Sequence, residues 1–142
     1  MRPILALLLV LGACAAPAAR NDAMPEAAAV AVSPAERVVQ TQLEAYNRRD
    51  IDAFAATYAP DVRIYNHPAE LRLSGVDKLR EDYARFFASA PDLRASVSKR
   101  IVQGEYVIDH ETVTGLPNGE QLQAVAVYQV RNGRIQNVWV IR

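Results

Sequence analysis

Apolar residues in the first half of the folded region recur with the period of an amphipathic helix. One stripe consists of Ala35, Val39, Leu43 and Tyr46, and a second consists of Ile51, Phe54, Ala55 and Tyr58. A third stripe consists of Val76, Leu79, Tyr83, Phe86 and Phe87. Ser33 and Asp50 precede the first two stripes and are typical helix caps. The pattern therefore predicts three helices, with one strand, Val62–His67, before the third.

From Leu93 onward the period of the apolar positions falls from about 3.6 to about 2, which is typical of strands. The predicted strands are Leu93–Val102, Tyr106–Thr114, Leu122–Val130 and Ile135–Ile141. Asn132-Gly133 joins the last two, and Asn-Gly is the strongest short signal for a tight hairpin. Helices followed by meandering strands predict an α+β domain, in which three N-terminal helices pack on a curved, mostly antiparallel sheet.

Composition and charge limit the classes of function. The 142 residues include 16 Lys+Arg and 16 Asp+Glu, and 51% of them are hydrophobic. This length and apolar content suit one folded domain, which we place at residues 34–142. A neutral chain without a dense Lys/Arg run lacks the electrostatic footprint of nucleic-acid binding, so we expect no nucleic-acid partner.

The chain starts like an exported protein. Arg2 precedes the apolar run Ile4–Leu11, which is too short to span a membrane but suits a secretory signal. Leu11-Gly12-Ala13-Cys14 then resembles the bacterial lipobox, in which the cysteine is acylated. We therefore expect a signal peptide at 1–13 and a lipidated Cys14 that begins an Ala/Pro-rich tether at 14–33. The alternatives are ordinary signal cleavage within 13–19 and a cytosolic protein with an unusual start.

The expected location follows from this start. A lipidated Cys14 would hold the domain at the bacterial cell envelope, on the outer membrane or in the periplasm, whereas ordinary cleavage would release it into the periplasm. Cys14 is the only cysteine, so the domain after it would contain neither a disulfide nor a free thiol. Membrane contact is then expected only through the lipid on Cys14.

Three motifs carry a family resemblance. They are Tyr46-Asn47-Arg48-Arg49-Asp50-Ile51-Asp52-Ala53-Phe54 with Tyr58-Ala59-Pro60-Asp61-Val62, then Ser74-Gly75, then Tyr128-Gln129-Val130-Arg131-Asn132-Gly133-Arg134-Ile135. In these motifs the domain resembles the NTF2-like superfamily, in particular its SnoaL-like and ketosteroid-isomerase-like members. The resemblance spans residues 34–142 and implies a cone-shaped fold with a pocket. Because this fold hosts isomerases, cyclases, dehydratases, hydrolases and binding domains, it specifies the fold far better than the reaction.

The positions that correspond to the catalytic residues of the ketosteroid isomerases carry other residues in this chain. It places Gln42 where those enzymes have a tyrosine, Asn66 at their aspartate base and Ala126 near their protonated aspartate. Asparagine cannot accept a proton at useful pH, and alanine cannot donate a hydrogen bond. A shift of one residue would put His67 at the position of the base. We therefore expect a protein other than a standard ketosteroid isomerase.

The two histidines are the candidate acid–base residues, because imidazole titrates near neutral pH. His67 ends a predicted strand, and His110 interrupts an apolar one. We expect one or both of them to contact the pocket. The alternatives are a turn residue that bonds the backbone, for His67, and a side chain satisfied by a neighbouring hydroxyl, for His110.

The acidic residues beside His110 are expected to have structural partners. Alternation along the strand puts Asp109 and Glu111 on the face opposite His110. We expect them to pair with Lys99, Arg100 or a partner chain. The domain has two histidines and no cysteine, and adjacent strand residues cannot converge on one ion, so we predict no metal site and no cofactor.

Apolar walls with a few convergent polar groups predict a pocket for a small molecule. We expect its lining to include Tyr46, Tyr58, Asn66, His67, His110, Tyr128 and Trp139. The small side chains of Ala124 and Ala126 would leave room for a ligand. Two functions fit this picture. One is an exported binding domain for a small, mostly apolar molecule, and the other is a cofactor-free isomerase or lyase with a pocket histidine as acid–base.

The last two strands also predict a homodimer. Simple alternation puts Val125, Val127, Val138 and Val140 on the outer face of the sheet. A sheet face open to water would carry polar residues there. We expect a second copy to cover this valine patch, and strand propensity alone is the alternative explanation.

Overall fold

The structure is a computed structural model that describes residues 31–142. Its helices are α1 (Pro34–Arg48), α2 (Ile51–Ala56) and α3 (Val76–Ser89). Its strands are β1 (Tyr58–Asn66), β2 (Glu70–Ser74), β3 (Arg94–Gln103), β4 (Tyr106–Thr114), β5 (Leu122–Arg131) and β6 (Arg134–Ile141). The predicted signal and Cys14 lie outside the described residues. Within those residues, no helix is long and apolar enough to cross a membrane.

The predicted α+β architecture is confirmed. The six strands form one mixed sheet in the order β2-β1-β6-β5-β4-β3. Strand β1 pairs with β6 in parallel, and the other neighbouring strands pair antiparallel. The four strands predicted after Leu93 appear as β3 to β6. The helices cover one face of this sheet, which we call the inner face, and the opposite side is the outer face.

Three helices were predicted and residues 31–142 contain three, but only two of them are long. Helix α2 has 6 residues, whereas α1 has 15 and α3 has 14. The expected end of the second helix belongs to β1, where Tyr58 is paired with Ile135 of β6. Sheet pairing therefore overrides the helical period at this point, and Tyr58 contributes a buried ring to the core from a strand.

Strand β2 was not predicted. Only Leu73 of its five residues is buried, so the segment carries little apolar periodicity. It also ends directly before Gly75, the N-cap of α3, where the backbone has a φ of +88°. The predicted strand Val62–His67 is therefore half of a hairpin, with β2 as an edge strand of the sheet.

Side-chain bonds and aromatic packing hold the helices over the sheet. Asn47 of α1 donates from Nδ2 to the carbonyl of Ala95 at 2.9 Å and accepts from its N–H at Oδ1 at 2.7 Å. Phe54 is fully buried, with its ring centroid 4.7 Å from that of Tyr83 and 5.0 Å from that of Tyr58. These contacts fix α1, α2 and α3 against the inner face of the sheet.

A bulge in the pairing of β5 with β6 reverses the predicted faces of β6. Gln129 pairs with Asn137, but Val130 pairs with Ile135, so one extra residue is inserted in β6. Val138 and Val140 therefore lie on the inner face, and Trp139 lies on the outer face with Val127, its cross-strand partner. The prediction that Val138 and Val140 form part of an outer patch was wrong, because a single inserted residue moves every later side chain to the other face. Val125 and Val127 do lie on the outer face.

Candidate functional site

A cavity of about 440 Å³ lies between the inner face of the sheet and helices α1 and α3. Its apolar walls include Leu43, Ile64, Phe86, Val113, Val138 and Val140. Ala124 and Ala126 of β5 also line it, and their small side chains leave the central space open. The volume lies within the usual range of small-molecule sites.

Glu111 is the carboxyl that β4 places in the cavity. Tyr128 of β5 donates its hydroxyl to Glu111 Oε1 at 2.7 Å. Burial raises the pKa of Glu111 from its ordinary 4.5 to about 7; the Tyr128 hydrogen bond opposes this rise, and the neighbouring Asp109 charge adds to it. Glu111 is therefore populated both as an acid and as a carboxylate near neutral pH.

A second polar pair lies deeper in the cavity. The Gln42 Nε2 group donates to the hydroxyl oxygen of Tyr58 at 3.0 Å, and both side chains are buried. Burial holds the pKa of Tyr58 and of Tyr128 well above the usual value, so both phenols keep their protons at physiological pH. Because Gln42 donates to Tyr58, the Tyr58 hydroxyl proton can be donated to another acceptor.

A buried ion pair supports the strand that carries Glu111. Arg100 of β3 binds Asp109 of β4 through two parallel hydrogen bonds, Nε to Oδ1 and Nη2 to Oδ2, each 2.7 Å long. Asp109 is 1% exposed, and its hydrogen bonds raise the pKa of Arg100. The predicted pairing of Asp109 with Arg100 is confirmed. The matching expectation for Glu111 was wrong, since Glu111 lines the cavity and bonds Tyr128.

The opening of the cavity is polar. Arg72, Asp82, Glu120 and Arg142 line it, so charges of both signs stand at the entrance. The loop that carries Glu120 is held close to the α3–β3 connection by Gly115, where φ is +72° and an added Cβ would lie 2.1 Å from the Asp92 carbonyl oxygen. Only glycine fits there.

The sequence-predicted pocket residues divide into two groups. Tyr46, Tyr58 and Tyr128 line the cavity. Asn66, His67, His110 and Trp139 do not appear among its lining residues. Trp139 turns outward because of the β6 bulge, and Asn66 lies at the end of β1, where its side chain donates to Glu70 at 3.3 Å.

Both histidines are exposed, so the prediction that they contact the pocket was wrong. His67 belongs to the turn between β1 and β2, and His110 pairs with Val125 on the outer face of the sheet. The cavity lies on the opposite side of β4 from His110. Neither imidazole lines the cavity.

Glu111 is the functional candidate that the sequence reasoning missed, although the signal was present. It shares a strand face with Val107 and Val113, both of which are buried on the inner face. Burying an ionisable side chain costs free energy, so such a residue on a core-facing stripe indicates either a bonding partner or a function. Within residues 31–142, no group of three His, Cys, Asp or Glu side chains could hold a metal ion.

The fold and its cavity define an α+β domain of the cystatin-like, NTF2-like kind. Residues 39–138 match the model of the SnoaL-like domain. The chain therefore belongs to the SnoaL-like domain family. No curated protein matches the sequence.

Solved structures show the same fold. An uncharacterized cystatin-fold protein from Novosphingobium aromaticivorans is 26% identical with a TM-score of 0.71, and the match covers 78% of this chain and 98% of that one. A putative ketosteroid isomerase from Kribbella flavida is 25% identical with a TM-score of 0.61, covering 76% of each chain. A putative SnoaL-like polyketide cyclase from Jannaschia shares the fold at 17% identity and a TM-score of 0.61, covering 75% of this chain and 83% of that one.

Proposed function

We propose that this domain binds a small, mostly apolar molecule whose single polar group reaches Glu111. The observation that carries the proposal is the Glu111 carboxyl, hydrogen-bonded to Tyr128 between the apolar walls of a cavity whose other charged side chains stand at its entrance. Tyr128 already occupies Glu111 Oε1, so Oε2 is the oxygen that would meet the ligand. Burying the apolar body of the ligand supplies the affinity, and the Glu111 hydrogen bond fixes its orientation.

A second candidate function is cofactor-free proton transfer, and the pKa of Glu111 near neutral pH favours it. The Glu111 carboxylate would take a proton from a carbon next to a carbonyl and return it to another carbon of the same molecule. One C–H bond breaks and one forms, so no oxidant or reductant is needed. The Tyr58 hydroxyl would donate a hydrogen bond to the carbonyl oxygen of the substrate, on which negative charge develops.

This chemistry differs from that of the ketosteroid isomerases in the residues that would carry it. Gln42 and Ala126, which stand at two of the three positions those enzymes use, do line the cavity but cannot transfer a proton. Asn66 stands at the third and lies outside the lining. Glu111 therefore replaces both the expected aspartate and the histidines as the candidate acid–base residue.

The location of the domain remains a proposal from the sequence. The apolar run Ile4–Leu11 and Cys14 support export and a lipid anchor at the bacterial cell envelope. In that setting the cavity would meet small molecules of the periplasm.

Binding of 2-naphthol, which has an apolar body and one hydroxyl, tests the proposed function. We expect the full chain, carrying Cys14→Ser to prevent acylation, to bind 2-naphthol in equilibrium dialysis. Ala124→Phe should weaken binding by about tenfold or more, because Ala124 is the cross-strand partner of Glu111 and a phenyl ring there takes up cavity space beside Glu111.

Gln123→Phe is the matched control, since Gln123 is exposed on the neighbouring position of the same strand, on the outer face. It should bind 2-naphthol like the parent chain. The proposal fails if the parent chain does not bind the probe, or if folded Ala124→Phe binds it unchanged. Circular dichroism of each variant establishes that it is folded.

A further inference from the structure

Two arginines at the entrance of the cavity are available to a ligand. Arg72 of β2 and Arg142, which follows β6, both line the cavity. Side chains alternate along a strand, so Arg142 continues the inner face of Val138 and Val140. Within residues 31–142, neither arginine forms an ion pair. Their positive charges therefore stand at the entrance without a protein carboxylate bound to them.

The acidic side chains of the entrance have other partners. Asp82 of α3 accepts hydrogen bonds of 2.6 Å from Lys78 and from Arg85, both on the same helix. The hydrogen bond from Lys78 lowers the pKa of Asp82. Glu120 accepts a hydrogen bond of 2.7 Å from the side chain of Asn118. The charge of Asp82 is thus balanced within α3, which leaves the two arginines to meet an anion from solution.

A bulge in β2 explains how Arg72 comes to line the cavity. Ile64 of β1 pairs with Leu73, and Tyr65 pairs with Leu71, so Arg72 is an extra residue in β2. In a regular strand Leu71 and Leu73 would share a face. Here Leu73 is buried in the core while Leu71 is 54% exposed. The extra residue therefore changes the face of the strand and aims the Arg72 side chain at the entrance, as bulges beside binding sites do.

The two arginines act on the same end of the cavity, at the hydroxyl of Tyr83. Tyr83 of α3 also lines the cavity. Burial raises the pKa of Tyr83, and the positive charges of Arg72 and, more weakly, of Arg142 oppose this rise. A charge shifts a pKa appreciably only from a short distance. Both guanidinium groups consequently lie near the Tyr83 hydroxyl, where they can share one anionic group.

Glu111 stands on a different wall of the cavity. It belongs to β4, which is separated from β6 by β5, and from β2 by β5, β6 and β1. Neighbouring strands lie about 4.8 Å apart, so the backbones of β4 and β6 are about 10 Å apart. A molecule that reaches both Glu111 and the arginines must therefore be elongated, with a polar group at each end and an apolar middle.

We propose that the ligand of the cavity is an elongated amphipathic anion whose carboxylate binds Arg72 and Arg142 at the entrance. This inference rests on the proposed function, and it adds to the polar group that meets Glu111 a second, charged group at the other end of the ligand. Guanidinium groups match carboxylates in geometry and donate two parallel hydrogen bonds to them. At the entrance the carboxylate stays partly hydrated, so it avoids most of the desolvation cost of a buried ion pair.

Binding of 6-hydroxy-2-naphthoate and of its methyl ester tests the inference. The two probes have the same ring system and hydroxyl, but only the first is charged at neutral pH. In equilibrium dialysis with the full chain carrying Cys14→Ser, we expect the carboxylate to bind about tenfold more tightly than the ester at low salt. Added sodium chloride should narrow this preference, because salt screens charges that are exposed to solvent.

Substitution of the arginines should remove the preference. Arg72→Met should reduce it by about threefold or more, and Arg72→Met with Arg142→Met should abolish it, while the ester binds within about twofold of the parent. Methionine keeps most of the apolar stem of arginine and loses its charge. Arg63→Met is the matched control, since Arg63 is exposed on the neighbouring strand β1 and is not among the cavity-lining residues. It removes the same charge and should leave the preference unchanged.

The possible failures separate this inference from the proposed function. A parent chain that binds 2-naphthol, but binds the carboxylate no better than the ester, would overturn the inference and leave the proposed function standing. A preference that persists in the folded double variant would also overturn it, because the anion would then bind elsewhere. A parent chain that binds neither these probes nor 2-naphthol would overturn both. Circular dichroism establishes that each variant is folded.

Discussion

Replacing Arg100 with methionine is expected to lower the free energy of unfolding by about 3–5 kcal/mol. The change leaves the carboxylate of Asp109, 1% exposed, without the two hydrogen bonds of 2.7 Å that Arg100 donates to it. The Coulomb attraction and both hydrogen bonds are lost, while the cost of burying the charge is kept. Urea denaturation of the full chain at neutral pH measures the loss.

A double variant separates the pair from the packing around it. Arg100→Met with Asp109→Leu removes both charges and should recover most of the lost stability, because two apolar side chains of similar size leave no buried charge. Lys99→Met is the matched control on the same strand; Lys99 is exposed, and its loss should change stability by no more than about 0.5 kcal/mol. An equal loss in the single and the double variant would contradict the expected role of the ion pair.

Glu111→Gln is expected to stabilise the protein above neutral pH, by up to about 3 kcal/mol at about pH 8. Burial raises the pKa of Glu111 from 4.5 to about 7, so between these values the folded state binds more protons than the unfolded state. The stability that protonated Glu111 contributes is therefore fully present below about pH 4.5 and is lost as the pH rises through about 7. Glutamine at this position carries no charge to bury.

Urea denaturation across this pH range checks the sign. The parent chain and Glu111→Gln should be nearly equal in stability at acid pH and diverge as the pH rises. Glu120→Gln removes an exposed carboxyl at the cavity entrance and should follow the parent at every pH. The same pH dependence in the parent and in Glu111→Gln would show that Glu111 is not the buried titrating group. A residue that lowers the stability of the folded protein is typical of a functional site. Stabilisation by Glu111→Gln would therefore support a functional role for Glu111 in the cavity.

The sequence predicted the fold well wherever the apolar period was long. The stripes of α1 and α3 and the four alternating strands predicted after Leu93 each extend over seven or more residues, and each became the expected element. The misassigned segments were short. Helix α2 ends at Ala56 because β1 starts pairing at Tyr58, and β2 has only Leu73 to indicate a buried face. Such segments are decided by contacts distant in sequence, which a local pattern does not contain.

The candidate site was harder to predict for two physical reasons. Alternation on β4 separates His110 from Glu111 correctly, but which of the two faces the cavity depends on where the helices pack. Val107 and Val113 are apolar and indicate the inner face of β4. Glu111 shares that face and His110 does not, so the apolar pattern favours Glu111 as the residue in the cavity. The second reason is the bulge at Gln136, which exchanges the faces of Val138 and Trp139 and leaves no sign in the alternating pattern.

The pH dependence of binding for two matched probes tests the central claim that a ligand in the cavity shares a hydrogen bond with Glu111. 2-Naphthol donates a hydrogen bond and should favour the Glu111 carboxylate, whereas 2-acetylnaphthalene only accepts one and should favour the protonated acid. In equilibrium dialysis, we expect 2-naphthol binding to tighten by about tenfold as the pH rises through about 7, and 2-acetylnaphthalene binding to weaken by a similar factor. Both slopes should vanish in Glu111→Gln. Parallel slopes for the two probes, or slopes that persist in Glu111→Gln, would contradict the assignment of Glu111 as the group that meets the ligand.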